Sequence, residues 1–137
     1  MKRILFLLLL SSILSVSNAL GQESYNDEQI SVTSEVLKYE DRINDKFYNY
    51  YNFTVKNVSS KNQKFELIIT YTQNGQDKSS QTRDESLIFE LAPGETLVGD
   101  IQSRAKLTLF KSFLPGNSGK KASNDSVEVE SIEINYL

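Results

Sequence analysis

The side chains that most small enzymes use for catalysis are absent from this chain of 137 residues, which contains no cysteine and no histidine. Without cysteine it has no thiolate nucleophile, no disulfide and no cysteine–zinc site. Without histidine it has no Ser-His-Asp triad, no histidine general base and no His-Glu-x-x-His zinc motif. The composition therefore favours a protein that is not an enzyme.

Carboxylate pairs remain, because two acids can hydrolyse a glycoside without histidine or cysteine. Glu66 and Glu90 fall on the solvent-facing positions of predicted strands, where charge is expected in any case. The other acids have no surroundings that would keep one partner of a pair protonated: Asp100, Glu128, Glu130 and Glu133. Serine and lysine are too abundant for a Ser–Lys dyad to be informative. We expect no catalytic residues.

Oxygen ligands for calcium occur where an Asn–Asp pair brings amide and acid together, at Asn26-Asp27-Glu28, Asn44-Asp45 and Asn124-Asp125. None of these segments matches the twelve-residue calcium loop. Asn and Asp are also favoured in turns, where their side chains bond to nearby backbone groups. We interpret the three pairs as turns and expect neither a metal nor a cofactor.

Binding by aromatic side chains is more plausible than catalysis. Side chains alternate between the faces of a strand, which predicts that one set in the segment 47–58 faces the core: Phe47, Asn49, Tyr51, Phe53 and Val55. Tyr48, Tyr50 and Asn52 would then stand on the outer face, where rings beside an amide can stack on a sugar or anchor a protein. Aromatic packing that merely covers the sheet is the alternative.

The loop 115–126 is the second candidate for binding. It is rich in glycine and serine and carries Lys120 and Lys121, although the whole chain has a net charge of −3. Loops at the end of a sandwich often carry recognition, and a flexible loop without function is the alternative. The predicted binding surface therefore consists of Tyr48, Tyr50, Asn52, Lys120 and Lys121.

The candidate binding residues must be positioned by secondary structure, and the sequence pattern predicts that this structure consists of β-strands. Asn74-Gly75 is a hairpin signal of the type I′ turn, and a shift of apolar parity between Val129 and Ile132 predicts a bulge. No sustained 3.6-residue period occurs. We predict an all-β, antiparallel, immunoglobulin-like β-sandwich of about seven strands, with a small barrel as the alternative. The strand segments are 30–36, 47–58, 65–72, 87–91, 97–101, 106–113 and 127–136.

The N-terminus has the three parts of a secretory signal peptide. Met1-Lys2-Arg3 is followed by an apolar stretch that is too short to span a bilayer and then by small residues up to Gly21. We therefore expect a periplasmic or extracellular protein without lipid on cysteine and without a membrane span in the mature chain. The expected parts are the signal peptide 1–21, a flexible leader 22–29 and one sandwich domain 30–137.

The net charge and the short sequence motifs indicate which binding partners and modifications to expect. There are 18 acidic against 15 basic residues, and loss of Lys2 and Arg3 with the signal peptide makes the mature chain more acidic. Nucleic acid needs a concentrated basic face, so we expect no nucleic-acid partner. The N-glycosylation acceptor pattern occurs at Asn52, Asn57 and Asn124.

The order of features from Asn52 to Val127 includes a hairpin at 65–72 with Asn74-Gly75, then Ser79-Ser80-Gln81, then a strand ending in Ala92-Pro93-Gly94-Glu95. It resembles the small periplasmic chaperones that accompany curli-type amyloid secretion. The resemblance implies an immunoglobulin-like sandwich that keeps amyloid subunits from polymerising too early. We expect such a module to pair its sheet edges, or an exposed strand face, with an extended envelope or secreted protein such as an amyloid subunit. It assigns no functional residue. The competing expectation is a glycan-binding surface module that uses Tyr48 and Tyr50.

Overall fold

The computed structural model describes residues 24–82 and 86–137, which form two antiparallel sheets. The described residues hold no helix that is long and apolar enough to cross a membrane. The predicted all-β, antiparallel sandwich is confirmed, while its immunoglobulin-like strand order stays a prediction. The strands are β1 (Ser24–Asn26), β2 (Ile30–Asp41), β3 (Lys46–Asn57), β4 (Gln63–Gln73), β5 (Gln76–Ser79), β6 (Ile88–Leu91), β7 (Thr96–Val98), β8 (Thr108–Phe113) and β9 (Val127–Tyr136).

Each sheet is built around one long central strand. In the first sheet β3 pairs with β2 over its whole length, and β1 adds to the outer edge of β2. The other edge of β3 is shared by β7 near residue 55 and by β8 near residue 50. In the second sheet β4 pairs with β9 on one edge and with β5 and β6 on the other.

The core lies between the two central strands, as the alternating pattern predicts. Tyr51, Phe53 and Val55 of β3 face Phe65 and Leu67 of β4, and each of these side chains is 2% exposed or less. Strands alternate their side chains, so one apolar face per sheet is enough to build this layer. The rest of the buried cluster is formed by Ile30, Val32, Ile69, Tyr71, Leu87, Phe89, Leu91, Leu107, Leu109, Val127, Val129 and Ile132.

The hairpin formed by β2 and β3 is longer than predicted. β2 continues to Asp41, five residues beyond the predicted strand 30–36, and the turn occupies only residues 42–45. The Asp41 carboxylate accepts hydrogen bonds from the backbone N–H groups of Ile43 and Asn44, both at 3.1 Å. Cross-strand pairing on both sides of this turn therefore outweighs the low strand propensity of the charged residues.

The predicted type I′ turn and the predicted bulge are both confirmed. Asn74 and Gly75 both have positive φ, 52° and 80°, as a type I′ turn requires, and they join β4 to the polar strand β5. The register between β4 and β9 shifts where Thr70 lies opposite Ser131 and Tyr71 opposite Val129. Glu130 is the extra residue of the predicted bulge.

The segment predicted as a loose leader is paired in its described part. Residues 24–26 form β1, and Asp27 then joins the two ends of the described chain. Its carboxylate accepts hydrogen bonds from Tyr25 Oη at 2.6 Å and from Tyr136 Oη of β9 at 2.5 Å. It also accepts the N–H groups of Gln29 at 2.6 Å and Ile30 at 2.7 Å. Four donors to one carboxylate, together with packing of Tyr25 against the core, hold this segment in place.

The Asp27 bonds predict an acid-sensitive contribution to stability. Burial acts to raise the pKa of Asp27, but the bonds from Tyr136, Tyr25 and the two N–H groups outweigh it and lower the pKa from 3.8 to about 2. A depressed folded-state pKa stabilises the fold above pH 4, and this stability is lost as the pH falls from 4 to 2. Because the group is partly exposed, we expect about 1 kcal/mol, or about 4 °C in Tm.

Thermal unfolding of wild type and Asp27→Asn between pH 7 and pH 2 measures this contribution. The two Tm curves should differ by about 4 °C at pH 7 and converge near pH 2. Glu133→Gln removes an exposed carboxylate of β9 and is the matched control. A constant difference between wild type and Asp27→Asn across the whole pH range would contradict the assignment.

Candidate functional site

The structure brings together three of the five residues predicted to bind. Tyr48, Lys120 and Lys121 line one cavity of about 360 Å³ at the tip of the β2–β3 hairpin. The loop 114–122 closes one side of this cavity, which we call the basic pocket. Its lining is completed by Asp45, Lys46, Phe47, Phe113, Leu114, Gly116, Ser118 and Ala122.

The basic pocket combines aromatic walls with ammonium groups. Phe47, Tyr48 and Phe113 are half-buried, whereas the lysines at 46, 120 and 121 are exposed. Phe47, which the alternating pattern assigns to the core, therefore contributes to this pocket at the end of β3. Such a cavity suits a ligand that has both an apolar ring face and a negative charge.

Backbone hydrogen bonds shape the lysine-bearing loop. Leu114 N–H donates to the carbonyl of Phe47 at 2.9 Å, which continues the pairing of β8 with β3. Gly116 N–H then donates to the carbonyl of Lys120 at 2.9 Å, and Gly119 N–H to that of Gly116 at the same distance. Gly119 has φ 77°, which favours glycine in this tight turn. Lys120 and Lys121 therefore lie at the end of a turn that backbone hydrogen bonds hold in one conformation.

This turn is docked on the hairpin tip. The N–H of Asn117 donates to Asp45 Oδ1 at 2.8 Å, and the Asn117 amide Nδ2 donates to the carbonyl of Arg42 at 3.0 Å. Asp45 itself lies in the left-handed region, with φ 54°. Two hydrogen bonds therefore connect the loop to the turn between β2 and β3.

A cluster of rings continues from the pocket along the outer face of the first sheet. Tyr48 stacks on Tyr39 with ring centroids 4.9 Å apart, and lies 6.2 Å from Tyr50 and 5.9 Å from Phe110. Phe110 and Phe113 are 4.8 Å apart. We call these five residues the aromatic face. Tyr48 and Phe113 belong to both the aromatic face and the basic pocket.

A bulge in β8 creates part of this face. Asn49 lies opposite Ser112 and Tyr50 opposite Phe110, so Lys111 is an extra residue. The bulge brings Phe110 and Phe113 to the same side of the sheet, although their spacing in sequence would place them on opposite sides. The apolar pattern of this strand carries no signal of the bulge.

The prediction that Tyr50 and Asn52 form an exposed surface is wrong. Tyr50 is 8% exposed and Asn52 is 4% exposed. Tyr50 lies between Leu37 of β2 and Phe110 of β8, which are its cross-strand partners. Asn52 is covered by the segment that includes Gly99. The aromatic packing that was the alternative interpretation therefore holds for Tyr50, whereas Tyr48 also lines the pocket.

Lys111 takes part in a second charged cluster, which is structural. Its Nζ donates to Tyr51 Oη at 2.9 Å and to Glu128 at 3.1 Å, and lies 4.8 Å from the centre of the Tyr51 ring. Burial acts to lower the pKa of Lys111, but the bonds to Tyr51 and Glu128 outweigh it and raise the pKa. This lysine therefore stays charged and connects β8 to β9.

The three Asn–Asp pairs have the turn and loop roles that the sequence suggests. Asp27 bonds to the two tyrosines, Asp45 to Asn117, and Asp125 Oδ1 accepts from the Asn74 amide at 2.9 Å. Within residues 24–82 and 86–137, no three acidic side chains converge in a way that could hold a metal ion.

Taken as chemistry, the basic pocket offers three ammonium groups, aromatic surface and one carboxylate that is engaged by Asn117. Burial, and then the neighbouring Tyr39 and Tyr50, raise the pKa of Tyr48 above its usual 10, so its ring is neutral. No protein-family model, curated protein or solved structure matches the chain.

Proposed function

We propose that the protein is an exported, non-enzymatic module that binds an acidic glycan in the basic pocket. The observation that carries this proposal is that Tyr48 and Phe113 line the same cavity as Lys46, Lys120 and Lys121. Aromatic rings stack on the apolar faces of sugar rings, and lysine ammonium groups form charge-assisted hydrogen bonds with carboxylates.

The size and charge of the pocket support a small anionic ligand. A volume of about 360 Å³ lies at the lower end of the range for small-ligand pockets, which suits one or two sugar units. The three lysines are concentrated here on a chain whose net charge is −3. A local positive potential on an otherwise acidic protein attracts anionic ligands to the pocket. A neutral glycan would use the rings alone.

Export is part of the proposal and depends on the sequence. The signal peptide 1–21 lies outside the described residues, so its interpretation stays a prediction. An exported protein of the bacterial envelope would meet acidic polysaccharides of cell surfaces, which is consistent with a uronate-binding site.

The resemblance to curli-type chaperones would place the activity at a sheet edge instead. β9 is the long edge strand of the second sheet, and the residue that precedes it, Ser126, forms an isolated bridge with Ser112 of β8. Exposed Glu128, Glu130 and Glu133 and the bulge at Glu130 occupy this strand. Charges and bulges are the features by which proteins prevent pairing at an edge. We therefore favour the basic pocket over strand addition.

Titration with a galacturonic acid trisaccharide tests the proposal, with a neutral galactose trisaccharide as the comparison ligand. We expect the acidic sugar to bind and its affinity to fall as salt screens the exposed lysines. Lys120→Ser/Lys121→Ser should weaken binding at least tenfold, which is about 1.4 kcal/mol, and should flatten the salt dependence. Tyr48→Ala should weaken binding about tenfold through lost stacking.

Lys56→Ser/Lys61→Ser is the matched control, because it removes the same charge from the other end of β3. Residues 46 and 56 of that strand are about 33 Å apart at 3.3 Å per residue. Equal binding of the acidic and neutral sugars, or an equal loss with both lysine pairs, would refute the proposal. Binding of an extended peptide, with no affinity for either sugar, would favour the chaperone function.

A further inference from the structure

We infer that the Asp45 carboxylate is a positioning group that holds the lysine-bearing wall of the basic pocket in place. The inference rests on the proposed function, because it concerns how that pocket is kept ready for an anion. Asp45 Oδ1 accepts the N–H of Asn117 at 2.8 Å across 72 residues of sequence. Lys120 and Lys121 follow Asn117 by three and four residues and line the cavity together with Asp45.

The position of Asp45 in the backbone suits this role. Its φ of 54° lies in the left-handed region, which Asp, Asn and Gly adopt more readily than other residues. The residue ends the short turn between β2 and β3, and the hydrogen bonds of this turn fix the position of its side chain. The amide of Asn117 adds a second bond to the carbonyl of Arg42 in the same turn.

Gly116 shows how closely the loop approaches this carboxylate. A Cβ atom added at Gly116 would lie 2.6 Å from Asp45 Oδ1 and 3.2 Å from its Cγ. Both distances are too short for ordinary packing, and Oδ1 cannot turn away without losing the bond to Asn117. The glycine is therefore needed where the loop passes over Asp45, although its φ is not in the left-handed region.

The charge of Asp45 makes the inference testable, because its two effects on an anionic ligand have opposite signs. As a negative charge in the pocket wall, it repels an anion. As a hydrogen-bond acceptor, it holds the loop in the conformation that presents two lysines, which reduces the ordering that a ligand must impose. A substitution of Asp45 that keeps the hydrogen-bond acceptor but removes the negative charge separates the repulsion of the ligand from the positioning of the loop.

Asp45→Asn and Asp45→Gly provide this separation. Both residues tolerate φ 54° and both remove the charge, but the asparagine alone retains an oxygen that can accept the Asn117 N–H. We expect Asp45→Asn to bind the galacturonic acid trisaccharide as tightly as wild type or about threefold more tightly. Asp45→Gly should bind it about tenfold more weakly. Gly116→Ala, which displaces the carboxylate, should resemble Asp45→Gly.

Hydrogen exchange at the Asn117 amide gives a readout that does not depend on the ligand. Protection should persist in wild type and Asp45→Asn and be lost in Asp45→Gly, with Tm differing by only a few degrees among the three. Equal affinities and equal exchange rates in Asp45→Asn and Asp45→Gly would overturn the inference. If wild type binds no acidic sugar, the proposed function fails, while the exchange rates still decide whether Asp45 holds the loop.

Discussion

Asn57→Ala is expected to lower the free energy of unfolding by about 3 kcal/mol, or roughly 12 °C in Tm. Asn57 is fully buried at the end of β3. Its Nδ2 donates to the carbonyls of Lys61 at 2.7 Å and Leu91 at 3.0 Å, and its Oδ1 accepts the N–H of Ser59 at 2.9 Å and its hydroxyl at 2.7 Å. Alanine would leave these groups unpaired and a cavity beside them.

Urea unfolding of three variants separates the two causes. Asn57→Leu fills the space but leaves the Leu91 carbonyl without a donor, so it should recover little of the loss. Asn124→Ala removes an exposed asparagine and should change the free energy by less than about 0.5 kcal/mol. If Asn57→Leu were as stable as wild type, the hydrogen bonds of Asn57 would not be what stabilises this corner of the fold.

The burial of Asn57 also answers a question that its sequence motif raises. Asn57-Val58-Ser59 and Asn52-Phe53-Thr54 match the acceptor pattern for N-glycosylation, yet the two asparagines are 0% and 4% exposed. A glycan on either side chain is incompatible with the folded chain. Of the three patterns, Asn124 is the one whose asparagine is exposed.

What the sequence predicts well is local. Alternation of apolar residues identifies the buried faces of β3 and β4, because the geometry of a strand fixes which side each residue takes. Asn74-Gly75 specifies its turn through the positive φ that both residues tolerate, and the bulge at Glu130 appears as a break in apolar parity. Each of these signals lies within a few residues of the feature that it predicts.

What the sequence does not predict is long-range. Parity shows that Tyr50 and Asn52 share a face, but it does not show that β8 and the segment around Gly99 cover them. The basic pocket is lined by both Lys46 and Lys120, and the Asn117–Asp45 hydrogen bond that docks the loop spans 72 residues. The outer-face position of Tyr48 and the charge of the loop are visible in sequence, whereas their meeting in one cavity depends on how the loop docks.

Gly99→Ala is expected to lower the free energy of unfolding by about 2 to 3 kcal/mol, because there is no room for a methyl group at this position. A Cβ on Gly99 would lie 2.4 Å from Asn52 Oδ1 and 2.5 Å from the backbone carbonyl oxygen of Leu107. Gly99 N–H donates to the carbonyl of Phe53 at 2.8 Å, so the segment cannot move outward without breaking this bond. Thermal and urea unfolding measure the loss.

Two further variants identify its cause. A Cβ atom at Gly94 would meet no atom within 4 Å, and Gly94 has φ 76°. Gly94→Ala should therefore lower the free energy of unfolding by only about 1 kcal/mol, the cost of placing alanine in a left-handed conformation. Asn52→Ala removes one of the two groups that the new methyl group would clash with, and Asn52 Oδ1 has no hydrogen-bond partner to lose. The double variant Gly99→Ala/Asn52→Ala should therefore be more stable than the sum of the two single effects predicts, with a coupling energy of about 1 kcal/mol in the free energy of unfolding.

The same experiment bears on the binding surface. If Gly99→Ala were as stable as wild type, the segment 99–107 would not be packed on Asn52, and Asn52 would be exposed on the outer face that it shares with Tyr48. The site would then extend along β3, and Asn52→Ala should weaken binding of the acidic trisaccharide. If the substitution is destabilising and the double variant recovers stability, Asn52 is a packing residue. Recognition then depends on the pocket formed by Tyr48, Phe113 and the three lysines.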